Sequence, residues 1–212
     1  MKGSRLSLKA ILGPKRGDDK SVRILNRVVS WISEGIRYEP DQRHADIIIG
    51  RLGMKGKKAL STPGVKPANM KDEEDDDEPI EAAYATEYRR LVARANYLTQ
   101  DRSDIRYATK ELSRHMSKPR KRDWRALVRL GKYFIGRGRY IARFDYQRKV
   151  DKIHVWTPWA DTDYAGCRDT RKSTSGGLNM IGNHMIRSWS STQRVIALKA
   201  NTMAWLEEEL KV

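Results

Sequence analysis

Two aspartates separated by one residue, Asp161 and Asp163, open the stretch ADTDYAGCRDTRKSTSGG from 160 to 177. In an extended chain, residues i and i+2 point to the same face, so a strand continuing through 163 projects both carboxylates together. Two neighbouring carboxylates are costly unless a cation lies between them. Mg²⁺ favours such hard oxygen ligands, taking one or two carboxylates together with phosphate oxygens. The basic residues that follow, Arg168, Arg171 and Lys172, place positive charge beside them. The spacing therefore allows a carboxylate site that holds Mg²⁺ against a phosphodiester. It also allows an ordinary polar loop after a strand, and two aspartates do not distinguish the two.

The rest of the chain favours a phosphate partner. Its 212 residues carry a formal net charge of +16, with 39% hydrophobic and 33% charged residues. Each Lys or Arg placed on a phosphate releases a counterion, so a protein this basic is suited to nucleic acid. No apolar run approaches the ~20 residues of a membrane-spanning helix, and the N-terminal MKGSRLSLKAILGPKRG has no apolar stretch suited to a secretory signal. Cys167 is the only cysteine, which excludes an internal disulfide and a cysteine-built zinc site. An intracellular setting, cytoplasmic or nuclear, is the expectation. His44, His115, His154 and His184 do not fall at metal-ligand spacing.

Five segments follow from composition and periodicity. Residues 1–21 read as a flexible basic arm. Residues 22–66 hold two extended runs, 22–31 and 35–39, separated at Ser33-Glu34-Gly35 as in a β-hairpin. A helix follows in which Asp41 can cap, Ala45, Ile48, Ile49 and Leu52 share a face, and Gly53 closes. Residues 67–82 enclose DEEDDDE at 72–78, seven consecutive acids expected to repel one another and form a disordered connector. Residues 83–138 carry three helical stripes: Tyr84, Tyr88, Leu91, Val92, Ala95 and Leu98; Ile105, Ala108, Leu112 and Met116, with Ser103 as cap; and Trp124, Leu127, Val128, Leu130 and Phe134. Between 105 and 150, fifteen basic residues face three acidic ones, Arg120, Lys121 and Arg122 among them, which suits a backbone-binding surface. Residues 139–212 turn to strands at 139–146, 152–161, 176–182 and 184–191, with Gly182-Asn183 as a hairpin turn, and end in a helical pattern from 197. The tryptophans Trp156, Trp159 and Trp189 read as strand core, although exposed tryptophans stack on bases.

The order of residues from Trp159 to Leu198 resembles the start of the ribonuclease H domain of copia-type LTR retrotransposon polyproteins. In that family a strand ends in Asp-x-Asp-Trp-Ala-Gly, a charged turn leads to Arg/Lys-Ser-Thr-Ser-Gly, and a later strand carries Ser-Trp before a Gln and an Ala-Leu. Here Ala165, Gly166, Asp169, Arg171, Lys172, Ser173, Thr174, Ser175, Gly176, Ser188, Trp189, Ser190, Gln193, Ala197 and Leu198 match, with Tyr164 in place of the usual Trp. Upstream, YRRLVARANYLTQDRSDIRYATKELSRHMS resembles the connection region before that domain, and RYEPDQRHADIIIGRLGM with STPG resembles the end of the reverse transcriptase module. Together the resemblance spans roughly 22–204. It implies an α/β fold: an incomplete ribonuclease H-like mixed sheet, preceded by a helical connection and a hairpin-plus-helix reverse transcriptase remnant.

The same resemblance implies an ancestral cleavage of RNA in RNA–DNA hybrids by two Mg²⁺ ions, with Asp161 as a metal ligand and Asp163 as a further catalytic carboxylate. The family's glutamate position falls on Ala204 and its neighbour on Thr202, while Glu207 and Glu208 lie three and four residues beyond Ala204. No Tyr-x-Asp-Asp polymerase motif occurs, and the chain reads as truncated at Val212. The expectation is a fragment that keeps a hybrid-facing basic surface and lacks the chemistry. The alternative is a non-enzymatic nucleic-acid-binding protein that reuses that surface.

Overall fold

A computed structural model describes residues 8–65, 77–147, 156–163, 165–167 and 170–196. The chain is α/β and divides into two compact units. Among the described residues they hold two antiparallel sheets and four α-helices. The carboxyl-terminal helical pattern from 197 lies outside the described residues, as do Arg168, Asp169 and Tyr164.

The first unit takes the chain to Gly64 and resumes within the acidic run, at Glu73. Its sheet has the order β1 (Ser21–Ile24), β2 (Arg27–Ile32), β3 (Gly35–Glu39) and β4 (Ala142–Asp145). The extended run expected over 22–31 is two strands: Leu25 and Asn26, at φ 49° and 64°, make a two-residue turn between them. Positive φ at both positions gives the hairpin turn whose twist matches the flanking strands. The amino-terminal stretch is not the loose arm expected throughout. From Ile11 to Lys20 it forms a hydrogen-bonded loop, with Gly13 N–H on Asp19 O at 3.3 Å and Lys20 Nζ on Gly13 O at 2.8 Å.

The strand expected near 139–146 forms, but it pairs with β3 of this unit, Gly35 opposite Asp145 and Tyr38 opposite Ala142. It therefore belongs with the hairpin far upstream rather than with the sheet that follows it. Gly35 makes this approach possible: at φ 153°, a Cβ there would lie 2.1 Å from the Phe144 carbonyl oxygen. Arg139, just before β4, also reaches Glu39 at the end of β3, at 2.8 Å.

Helices α1 (Arg43–Arg51), α2 (Ala82–Leu98), α3 (Arg106–Arg114) and α4 (Lys121–Arg137) share one core. Apolar residues spaced three and four apart place one stripe of each helix inside: Ala45 and Ile48; Tyr88, Leu91, Val92, Ala95 and Leu98; Leu112; and Leu127, Leu130, Tyr133 and Phe134. Thus residues 22–66 and 83–138, read as separate segments, build a common interior. Asp41 starts α1 by accepting the Arg43 N–H at 3.1 Å, and Gly53 closes it at φ 64°. Ser103 begins a 3₁₀ turn, Ser103–Ile105, that runs into α3 without a side-chain cap. Tyr84 departs from its stripe, being 53% exposed and edge-on to Trp124 at 5.1 Å. Arg102, only 2% exposed, ties the interior together through Asp104 at 2.6 Å, the Gly138 carbonyl at 3.0 Å and the Phe134 ring at 5.1 Å.

The second unit contains β5 (Trp156–Thr162), β6 (Thr174–Ile181) and β7 (His184–Thr192), ordered β5-β6-β7. Every pairing is antiparallel, where the resemblance implied a mixed sheet. Successive strands joined by a turn or loop pair antiparallel, and a parallel neighbour requires a crossover. Gly182-Asn183 forms the expected turn, with Gly182 at φ 56° and Ile181 opposite His184. Trp156 and Trp159 are 62% and 61% exposed, not core as their strand context suggested. Trp189 instead lies over Gly177, where a Cβ would come within 2.3 Å of its ring.

Candidate nucleic-acid interface

The two aspartates of the opening stretch leave β5 in different ways. Asp161 stands opposite Gly176 on β6, and Gly176 in turn faces Ser190 on β7. Small neighbours leave its carboxylate exposed, and among the described residues it has no hydrogen-bond partner. Asp163 turns into the loop. Its N–H donates to the Thr174 carbonyl at 3.0 Å, and its carboxylate accepts the Thr174 N–H. Gly166 passes against this carboxylate, where a Cβ would meet Oδ2 at 2.2 Å.

The loop that follows is organised by its own polar groups. Ala165 N–H donates to Ser173 Oγ at 3.0 Å, Cys167 N–H to Lys172 O at 3.1 Å, and Arg171 N–H to Cys167 O at 2.7 Å. Ala165 and Arg171 occupy the left-handed region at φ 50° and 54°. Gln193 braces the turn from β7, its N–H on Ser173 O at 2.8 Å and its amide on Thr162 Oγ1 and Ser175 Oγ at 3.0 and 2.9 Å. The run Ser173-Thr174-Ser175 therefore supplies turn and ladder hydrogen bonds. Arg171 is exposed and Lys172 half-buried beside it. No group of three His, Cys, Asp or Glu side chains suited to a metal ion occurs among the described residues.

The larger basic surface lies in the first unit, at the start of α4. Arg120 precedes the helix in an extended conformation, and Asp123 in the first turn accepts its N–H at 2.8 Å. Burial pushes the Asp123 carboxyl up, opposed by that backbone bond and by His115, Arg122 and Arg120. The sequence then sets Arg120, Lys121 and Arg122 side by side where the helix begins. Further along, Arg129 reaches Thr62 Oγ1 at 2.8 Å and Arg137 is exposed, as is Lys118 just before the cluster.

Not all of the basic excess faces solvent unpaired. Lys110 and Arg114 share Glu111 at 2.8 and 3.1 Å, Arg143 pairs with Asp145 at 2.9 Å, and Arg106 donates to Thr99 O at 2.6 Å. At the α4 start, Asp77 lies 2.9 Å from Arg120 and 3.1 Å from Arg122, and Glu78 lies 2.6 Å from Lys121. These acids end the run expected to be a disordered connector. From residue 77 it is ordered: Lys121 N–H donates to Glu78 O at 2.9 Å and Ile80 N–H to Pro119 O at 3.2 Å. Like-charge repulsion within the run is offset there by cations some 43 residues away in sequence, a contact that local reading does not reveal.

The described helices include none long and apolar enough to cross a membrane. The chain is 30% identical over 167 residues to an uncharacterized mitochondrial protein of Arabidopsis thaliana, covering 76% of this chain and 62% of that protein. It is 34% identical over 119 residues to the retrovirus-related Pol polyproteins from transposons RE2 and RE1 of the same plant, covering 56% of this chain and 8% of each polyprotein. It thus spans less than two thirds of the length of these relatives. No family model matches the chain, and no solved structure matches it. The chain is a homologue of part of the copia-type, retrovirus-related Pol polyproteins of retrotransposons.

Proposed function

We propose that this chain is a segment of a retrotransposon Pol polyprotein that binds nucleic-acid backbone without cleaving it. In this reading the first unit derives from the end of a reverse transcriptase and its connection, and the second from the start of a ribonuclease H domain. The observation that carries binding is the basic cluster at the start of α4, where Arg120, Lys121 and Arg122 are contiguous and part-exposed within a segment of fifteen basic and three acidic residues. Their contacts would fall on phosphates, giving affinity without base reading. Arg171 and Lys172 add a second basic point in the loop after β5.

The residues present do not fit a two-magnesium centre. Asp161 offers an exposed carboxylate, but the Asp163 carboxylate holds the Thr174 N–H, and the family's two glutamate positions are Ala204 and Thr202. Among the described residues the ancestral hydrolysis of RNA in hybrids therefore has no complete donor set.

The test is an RNA–DNA hybrid duplex incubated with the whole chain, with and without Mg²⁺. The expected outcome is retention of the duplex in a gel-shift assay, intact in both conditions, and weakened retention when Arg120, Lys121 and Arg122 are changed together to Gln. RNA cleavage that requires Mg²⁺ and is lost in Asp161→Asn would refute the non-cleaving reading, and absence of retention at low salt would refute binding.

A further inference from the structure

The cations proposed to meet phosphate already hold carboxylates. One Asp77 oxygen bridges Arg120 and Arg122, and Glu78 meets Lys121. Two acids on three bases place anionic oxygens where phosphate oxygens would sit. The arrangement is fixed by the main chain, through Lys121 N–H on Glu78 O and Ile80 N–H on Pro119 O, with Pro79 and Arg120 forming a β-bridge. The acids are thus presented at high effective concentration. All five side chains are partly exposed, so the ion pairs are screened by salt and individually weak.

We infer that Asp77 and Glu78 are a built-in competitor of nucleic-acid backbone for the start of α4. This rests on the nucleic-acid-binding reading and adds its regulation. A single phosphate does not displace the acids. A duplex displaces them by engaging several bases at once, so the device discriminates against short or sparsely charged anions. The backbone contacts keep the segment beside the helix, ready to cover the cluster again when the duplex leaves.

The experiment compares the whole chain with Asp77→Asn/Glu78→Gln, measuring hybrid-duplex affinity by fluorescence anisotropy at fixed low salt. Asp46→Asn/Glu81→Gln serves as a control with the same loss of negative charge at acids not paired with the cluster. The expected result is a roughly five- to tenfold tighter Kd for the first variant than for the control, the scale of three exposed ion pairs removed. Equal affinities of variant and control would overturn the competitor while leaving nucleic-acid binding standing. Failure of all three proteins to bind would overturn both.

Discussion

Asp161 and Asp163 look alike in sequence and do different work in the structure. Extended geometry puts i and i+2 on one face only while the strand lasts, and β5 ends at Thr162. Asp163 then becomes a turn residue whose carboxylate accepts a backbone N–H. Asp163→Ala is expected to destabilise the second unit by about 1 kcal/mol, the worth of one such bond. Asp161→Ala, on an exposed position, is expected to change stability by less than about 0.5 kcal/mol. Chemical denaturation of both variants checks the contrast. Equal losses would mean that Asp161 has a structural partner. The residue types were legible from the sequence, but their separation depended on where the strand stopped, a boundary that alternation alone does not fix.

Among the elements, the helices were the most legible, because apolar residues spaced three and four apart dictate a buried stripe whatever packs on it. Gly182-Asn183 was legible for a similar reason, its chemistry being local. The split of 22–31 was not, since Leu25 gives no turn signal and Asn26 alone was outweighed by the surrounding β-branched residues. The pairing of β4 with β3 was not legible either, because it joins strands about 100 residues apart and is licensed by one glycine. Gly35→Ala is expected to cost at least about 2 kcal/mol and to loosen β4, because a Cβ there meets backbone that cannot move aside. Gly50→Ala, in α1 with open space around the added methyl, is expected to stabilise by about 0.5–1 kcal/mol. Thermal unfolding of the two variants separates the close approach at Gly35 from a general effect of glycine replacement.

At the scale of the molecule, charge is the dominant property, and its distribution sets both pH and salt responses. His44, packed on Tyr97 at 4.5 Å, is held below its usual 6.5 by burial, with Arg94 and Arg43 acting in the same sense and Asp41 opposing. Its unfolded form binds protons more readily, so stability falls as pH drops below about 6.5. Asp41 and Glu87, held below the ordinary carboxylate range by Arg43 and Arg51, add stability that is present above their unfolded values of 3.8 and 4.5 and is lost as pH falls through the folded ones. Asp123 acts oppositely: its raised carboxyl contributes stability that is lost as pH rises from 3.8 through its folded value. His44→Gln is therefore expected to flatten the decline in thermal midpoint between pH 7 and pH 5 while leaving the acid limb below pH 4.5 in place. An unchanged slope in that variant would assign the decline to other groups.

The central claim is that the chain holds nucleic-acid backbone through the basic start of α4. The most direct test is the salt dependence of hybrid-duplex affinity for the parent chain and for Arg120→Gln/Lys121→Gln/Arg122→Gln. Each neutralised duplex phosphate contributes about 0.9 to the slope of log affinity against log salt. The expected result is a steep decline for the parent chain and a slope shallower by about 2–3 in the variant. A flat response in the parent chain, or the same slope in both proteins, would contradict the account.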